Sequence, residues 1–271
     1  DHPALGVLLA SAGVMYRYYA DLSGYADIAI GSSMIIGIKL SQNFNRPFAA
    51  SSMVDYWQRW HITITAWFRD YVFLPIALRS RLAWRRQLAT FVTMMVVALW
   101  HGASWGWIVG GLIASVVMVI ESTLRRSHSA GSAAKRVARF LGIGERGLAF
   151  IQRNSNRLLL WFFLIFLGTL VNSPNINDAL AVWRVLADVP AQIASLNFSP
   201  GAAFTSSMKV LTLLLAIIAL ETYQWLDSRR PVFDRLAARG LLASWTFYYA
   251  VATIIVVIGV FGEPGFIYFN F

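Results

Sequence analysis

Two of the four histidines in this 271-residue chain, His61 and His101, lie among apolar and aromatic residues. An ionisable side chain inside a stretch that is apolar enough to cross a bilayer is costly to bury, so such a residue is a functional-site candidate. A neutral imidazole suits the removal of a proton from a hydroxyl, because imidazoles titrate near physiological pH. General-base chemistry at two membrane-embedded histidines is therefore the first function that the residues suggest.

Other interpretations of these histidines stay open at this point. A single histidine on an apolar face is more often a satisfied core residue, although two of them in separate apolar segments weaken that explanation. Membrane histidines also relay protons in transporters and channels. A metal site would need a third and a fourth ligand, and the chain has no cysteine and no clustered carboxylates to supply them. We therefore predict that no metal is bound.

The composition predicts a polytopic membrane protein. Hydrophobic residues make up 58% of the chain and charged residues only 13%, against about 25% charged in a soluble domain. The formal net charge of +10 would suggest nucleic acid in a soluble protein. Here the positive residues gather between apolar segments, so we predict contacts with membrane lipid and no nucleic-acid partner.

The elements that must position the histidines are apolar segments, several of them shorter than the roughly 20 residues of a straight span. Short or polar-broken segments are tolerated where they face protein or a water-filled cavity. By the positive-inside rule, the basic loops at 79–86, 125–157 and 229–239 are predicted to be cytoplasmic. The apolar segments lie near residues 4–19, 25–40, 53–78, 88–100, 105–120, 158–171, 210–226 and 243–261.

Each histidine has a predicted local setting. The segments 88–100 and 105–120 form a hairpin with His101 at its bend, and Gly102, Gly106 and Gly110 would form one smooth helical stripe that neighbouring helices can approach. Around His61, a spacing of three and four predicts one aromatic helix face. The residues of that face are Trp57, Trp60, His61, Ile64, Trp67, Phe68 and Tyr71. The charged residues off this face, which can pair with each other, are Asp55, Arg59, Arg69 and Asp70.

Several ordered motifs resemble the membrane-bound O-acyltransferase family, and most closely its bacterial alginate O-acetyltransferase branch, which also includes the D-alanine transfer protein of teichoic acid modification. The motifs are DLSGYADIAIG at 21–31, NFNRPF at 43–48, YWQRWHIT at 56–63, WFRDY at 67–71, LWHGA at 99–103 and the ending FIYFNF at 266–271.

The resemblance implies an all-α fold, a polytopic transmembrane helical bundle around a tunnel, with re-entrant or broken helices near the histidines. His101 matches the family's near-invariant histidine, the expected general base, and His61 matches the second position near the constriction. Members of the family are usually nearly twice as long. We therefore expect residues 1–271 to form a single membrane-embedded region, the C-terminal half of a longer architecture, with the N-terminal helices trimmed or supplied by another chain.

The function that the resemblance implies is acyl transfer to a hydroxyl. We expect an enzyme of the bacterial inner membrane that takes an acetyl group from cytosolic acetyl-CoA, a substrate and not a bound cofactor, for O-acetylation of an exported polysaccharide. The acceptor would be the polymer itself or a periplasmic acetyltransferase partner. The alternatives are a proton-coupled transporter and a non-catalytic membrane subunit of a polysaccharide export complex.

Six further residues are candidates for substrate binding. Trp60 and Trp100 flank the histidines, and Asn45 lies at a break where it could meet the donor's phosphates. Arg69 and Asp70 could form a buried pair that fixes the helix of His61. Asp21 could line the tunnel or cap a helix, since aspartate is a common cap.

Overall fold

The computed structural model describes residues 4–80, 82–126, 135–136, 139–195 and 207–258. Over these residues the regular structure is helical and no strand occurs, which confirms the all-α prediction. Three helical stretches are long and apolar enough to cross a membrane, namely Trp105–Leu124, Glu145–Asn172 and Val210–Arg229. The chain divides into two compact units, residues 1–203 with residue 271, and residues 204–270.

Unit 1 holds both histidines. Its short helices cluster between residues 47 and 77, next to two longer helices that form a hairpin. The elements in chain order are α1 (Ala4–Ile35), a 3-10 turn (Pro47–Ala49), α2 (Met53–Trp57), α3 (Ile62–Phe68), a π-helix (Arg69–Phe73), α4 (Leu74–Ala77), α5 (Ala83–His101), α6 (Trp105–Arg126), α7 (Glu145–Asn172), α8 (Ile176–Ala187) and α9 (Val189–Ala194).

The first helix corrects two predictions. The apolar segments near 4–19 and 25–40 belong largely to one helix of 32 residues, α1, which ends at Ile35. The polar residues between the segments therefore interrupt the apolar pattern but not the backbone hydrogen bonds. Asp21 lies in the interior of α1 and is not a cap, and the Ser23 hydroxyl donates back to the carbonyl of Ala20 at 3.5 Å.

Helices α5 and α6 form the predicted hairpin, and their contact is close. A Cβ added at Gly111 of α6 would lie 2.5 Å from the Cβ of Ala98 on α5. The predicted glycine stripe is wrong for Gly102, which caps the end of α5 outside both helices. Gly106 and Gly110 do face a neighbouring helix, α7, where added Cβ atoms would lie 2.8 Å from the Leu170 carbonyl oxygen and 3.2 Å from a Val171 methyl.

The loop that follows α1 is held against the helices by an aromatic side chain. Phe48 is buried, and its ring lies 4.6 Å from the ring of Tyr16 on α1 and 4.8 Å from that of Trp161 on α7. Aromatic pairs at such distances stabilise a fold by more than the burial of their apolar surface alone would. This contact fixes the 43–48 motif where its neighbouring residues reach His61.

Unit 2 contains α10 (Ser207–Arg229), α11 (Val232–Ala237) and α12 (Leu241–Ile258). The α10–α11 turn is held by a hydrogen bond from the Val232 N–H to the carboxylate of Asp227 at 2.8 Å. The guanidinium of Arg229 lies 3.8 Å from the centre of the Trp225 ring. The motif at 266–271 and the end of the predicted segment 243–261 lie outside the described residues.

Candidate functional site

His61 does not continue a helix, as the spacing predicted, but starts one. Helix α2 ends at Trp57, and His61 is the N-cap of α3 with φ 47° and ψ 53°. Such a left-handed conformation is uncommon for a residue other than glycine. It costs of order 1–3 kcal/mol and persists only where the surrounding structure enforces it. The predicted continuous aromatic face is therefore broken at its centre.

The loop before the 3-10 turn enforces this conformation. The Ile62 N–H donates to the carbonyl of Asn43 at 2.8 Å, and the Asn45 N–H donates to the carbonyl of Arg59 at 2.9 Å. The Asn43 side chain also reaches His61 Nδ1, with its Nδ2 at 3.1 Å. The loop at residues 43–45, about 18 residues earlier in the chain, thus holds the turn that contains His61.

Helix α2 is anchored at its N-terminus to α6. The Met53 N–H donates to the carboxylate of Glu121 at 2.8 Å, and the Ser52 hydroxyl accepts from the Asp55 N–H at 3.0 Å. The predicted pairing of Asp55 with Arg59 is confirmed, with Arg59 Nε 2.6 Å from Asp55 Oδ1. The first two contacts provide acceptors for N–H groups in the first turn of α2, a short helix that would not be stable in isolation.

His101 is the last residue of α5, and two aromatic rings, those of Trp100 and Trp107, pack against it. Its imidazole stacks on Trp107, with ring centroids 4.3 Å apart and planes inclined by 5°, and lies 4.8 Å from the ring of Trp100. Trp100 in turn contacts Phe68 of α3 at 6.0 Å. The end of α5 is thereby coupled to the helix that begins at His61.

Both histidines line one cavity of about 790 Å³. A cavity of this size falls in the range of small-molecule sites, which are about 300–1,000 Å³. The walls come from α2, α3, the π-helix, α5 and α6, and the polar residues among them are Ser52, Asp55, Gln58, Thr65, Arg69, Arg86, Gln87, Thr90, Thr93, Ser122 and Thr123.

One face of α5 runs the length of the cavity. After Ala83, its lining residues change from polar to apolar toward His101, in the order Arg86, Gln87, Thr90, Thr93, Met94, Val97, Trp100 and His101. At the rise of an α-helix, the 15 residues from Arg86 to His101 span roughly 22 Å. The four polar members of this face were not among the predicted substrate-binding residues, although their recurrence at three and four residues within an apolar helix could have indicated a cavity-lining face.

The six substrate-binding candidates divide into two groups. Trp60, Trp100 and Arg69 line the cavity beside the histidines, whereas Asn45, Asp70 and Asp21 are not among its lining residues. Asn45 contributes its backbone N–H to the brace of the His61 turn.

The Arg69–Asp70 ion pair forms as predicted, with Arg69 Nε 2.7 Å from Asp70 Oδ1. It is exposed and not buried, since the side chains are 60% and 46% accessible. Both residues start the π-helix, and none of its five residues is buried. Within the described residues, no three His, Asp or Glu side chains cluster as a metal site would require.

Comparison with known proteins gives matches along the segment that forms the cavity. The model of the MBOAT, membrane-bound O-acyltransferase family matches residues 4–140. The chain is 30% identical to the probable alginate O-acetylase of Azotobacter vinelandii over 81% of its own length and 39% of that protein's. It is 31% identical to the teichoic acid D-alanyltransferase of Streptococcus thermophilus over 63% and 43% of the two chains. It is 32% identical to the peptidoglycan O-acetyltransferase of Helicobacter pylori over 42% and 21%. The chain thus spans about two-fifths of the length of the alginate O-acetylase that it matches.

Proposed function

This chain belongs to the membrane-bound O-acyltransferase family, and we propose that its protein transfers an acetyl group from a cytosolic thioester to a hydroxyl, for O-acetylation of an exported bacterial polysaccharide. The observation that carries this proposal is the cavity that His61 and His101 line together. Acyl transfer from a thioester needs a base for the hydroxyl and a donor for the developing oxyanion. Two imidazoles facing one cavity can divide these two tasks.

We assign the base to His101 and the donor to His61. His101 takes the proton of the acceptor hydroxyl as its oxygen attacks the thioester carbonyl, and His61 donates a hydrogen bond to the carbonyl oxygen as negative charge develops there. When the tetrahedral intermediate collapses, the carbon–sulfur bond breaks and the imidazolium of His101 returns the proton to the leaving thiolate. The products are an ester and a free thiol, and the step requires no metal or oxidant.

The polar face of α5 supports acetyl-CoA as the donor. The pantetheine arm of coenzyme A carries two amides, and Gln87, Thr90 and Thr93 line the cavity. The hydroxyls of Thr90 and Thr93 donate to the carbonyls of Arg86 and Ala89, so their oxygens are left to accept from the amide N–H groups of the arm. The phosphates would lie at the Arg86 end, which the positive-inside rule predicts to be cytoplasmic. The roughly 22 Å between Arg86 and His101 is long enough for an extended arm to deliver its thioester to the histidines.

The acceptor side is proposed from the relatives. Their names describe acetylation of alginate and peptidoglycan and D-alanylation of teichoic acid, all of them polymers outside the cytoplasm. The three candidate spans and the family indicate a multi-pass membrane protein, and we propose the bacterial inner membrane as its location. The acetyl group would pass to the polysaccharide directly or through a periplasmic acetyltransferase, with the helices that complete the bundle in the same polypeptide or in a partner chain.

The test measures acetyl transfer in membranes of the producing organism, where everything that completes the bundle is present. Labelled acetyl-CoA is supplied on the cytoplasmic side of inverted vesicles, and both acetyl consumption and proton flux are followed. We expect His101→Gln to lower the rate by about 10²–10⁴-fold, the usual contribution of a general base. His128→Gln, a change of the same type in the basic loop, serves as the control. Wild-type rates in His101→Gln, or proton flux without acetyl consumption, would contradict the proposal, and the second result would favour a transporter.

A further inference from the structure

The side chain of Asn43 makes an unusual set of contacts beside His61. Its Oδ1 accepts hydrogen bonds from the Thr63 backbone N–H at 3.1 Å and from the Thr63 hydroxyl at 2.9 Å. Its Nδ2 lies 3.1 Å from Nδ1 of His61. One amide thus connects the first turn of α3 to the imidazole that precedes it.

These contacts fix which end of the amide faces the ring. A backbone N–H can only donate, so the atom of Asn43 that it approaches must be the carbonyl oxygen. The remaining amide group, NH₂, can only donate and therefore faces His61 Nδ1 as a donor. His61 Nδ1 is also 3.3 Å from Asn43 Oδ1, but that contact is longer and the oxygen already accepts two hydrogen bonds.

An Nδ1 atom that accepts a hydrogen bond carries no proton, and in a neutral imidazole the proton is then on Nε2. The geometry points to Asn43 as a positioning residue that holds His61 in the Nε2–H tautomer, so that His61 presents a hydrogen-bond donor, and not a base, to the cavity. His61 lines the cavity whereas Asn43 does not, so the ring edge turned away from Asn43, which bears Nε2, is the one that a bound molecule can meet.

The backbone of Asn43 reinforces the effect of its side chain. Its carbonyl accepts the Ile62 N–H at 2.8 Å, directly after the left-handed His61. The loop therefore fixes both the backbone conformation and the ring of His61. The catalytic consequence of this inference rests on the proposed function, because a fixed Nε2–H donor is what an oxyanion requires. The tautomer itself does not depend on the reaction.

The direct test is nitrogen-15 solid-state NMR of histidine-labelled protein in lipid bilayers. The chain has four histidines, and the His61 signals are those that disappear in His61→Gln. We expect an unprotonated Nδ1 and a protonated Nε2 for His61 in the wild type. A protonated Nδ1 in the wild type would overturn the assignment, so the test does not depend on whether any Asn43 variant folds.

The Asn43→Asp variant tests the cause. It keeps the size of the side chain and the acceptor for Thr63, but it places a second acceptor oxygen against His61 Nδ1. We expect the single proton of the neutral His61 ring to move from Nε2 to Nδ1 in this variant, so that Nε2 no longer donates. Gln42→Glu makes the same neutral-to-acidic change at the exposed neighbouring position and should keep the wild-type tautomer. An Asn43→Asp spectrum identical to the wild type would show that Asn43 does not set the tautomer.

Kinetics then separate a positioning role from a structural one. We expect kcat for acetyl transfer to fall by about 10²-fold in Asn43→Asp, close to the loss of one oxyanion donor, with little change in KM for acetyl-CoA. In a His61→Gln background the same substitution should cost little more, because Asn43 acts through His61. Full additivity of the two losses would contradict that route. If the wild type transfers no acetyl group, the proposed function fails while the spectroscopic result stands.

Discussion

His101 and Trp107 stack almost parallel, with ring centroids 4.3 Å apart, across the bend between α5 and α6. His101 ends one helix, and Trp107 lies in the first turn of the next. Because the end of a helix is where backbone fraying begins, the orientation of His101 depends on this side-chain contact as much as on α5. The indole thus holds the imidazole that we assign as the base.

Replacing Trp107 should therefore lower the rate of acetyl transfer without removing the histidine. We expect Trp107→Ala to reduce kcat by about 10–10²-fold, since small displacements of a reacting group cost up to about 10²-fold. Trp107→Phe keeps an aromatic face and should retain most of the rate. Trp105→Ala removes a neighbouring tryptophan that is 72% exposed and is the matched control. Equal rates in Trp107→Ala and Trp105→Ala would show that the stack does not position His101.

The basic end of the cavity gives a prediction for donor binding. Arg86 lines the cavity at the start of α5, whereas Arg79, which is also exposed and in the same basic loop, is not among the lining residues. If Arg86 contacts a phosphate of the donor, Arg86→Gln removes a charged hydrogen bond of about 1.5–3 kcal/mol. KM for acetyl-CoA should rise by about 10–10²-fold with little change in kcat. Arg79→Gln makes the same charge change and should leave KM within about two-fold; similar effects of both variants would indicate a general effect of surface charge.

The membrane class was predictable because long apolar segments with few charged residues are typical of chains that cross a bilayer. The two histidines were identifiable because each is an ionisable residue among such segments. The broken helix at His61 was not. The spacing of aromatic residues from Trp57 to Tyr71 fits a continuous helix, and histidine carries no local signal for a left-handed backbone. The break depends on backbone hydrogen bonds with Asn43, which accepts, and Asn45, which donates. Both residues belong to a separate loop, so only the tertiary fold reveals the break.

Polar residues misled the sequence analysis in the opposite sense at α1. Asp21 and Ser23 suggested a boundary between two spans, yet the helix continues to Ile35. Continuity needs unbroken backbone hydrogen bonds and no proline, not apolar side chains. On α5 the same kind of signal went unused, although Thr90 and Thr93 recur with Arg86 at helical spacing and share one wall of the cavity. Helical spacing of polar residues, more than their number, is therefore the signal that distinguishes a cavity-lining face of a helix from polar residues that only interrupt an apolar segment.

Glu121 links α6 to the α2 segment of the cavity wall, and its removal should loosen that wall. Its carboxylate accepts the Met53 N–H at 2.8 Å. Glu121→Leu keeps the side chain's bulk but leaves this N–H without its acceptor, which typically costs about 1–3 kcal/mol. We expect a lower Tm in detergent and a weaker rate of acetyl transfer. Glu145→Leu, in the first turn of α7 and exposed, is the control for loss of a carboxylate. A Tm for Glu121→Leu equal to that of the control would show that the link to α2 is dispensable.

The close contact of α5 and α6 at Gly111 depends on the absence of a side chain there. An added Cβ would lie 2.5 Å from Ala98 Cβ, and this clash would force the two helices apart about one helical turn before His101. Overpacking of this kind costs about 1–3 kcal/mol, so Gly111→Ala should lower Tm and, by shifting the end of α5, also lower kcat. Gly31→Ala is the matched control, because no atom lies within 4 Å of a Cβ added there on α1 and alanine is favoured over glycine in a helix by about 0.5–1 kcal/mol. Thermal unfolding of both variants in the same detergent checks the prediction, and an unchanged Tm for Gly111→Ala would mean that the hairpin can open without loss.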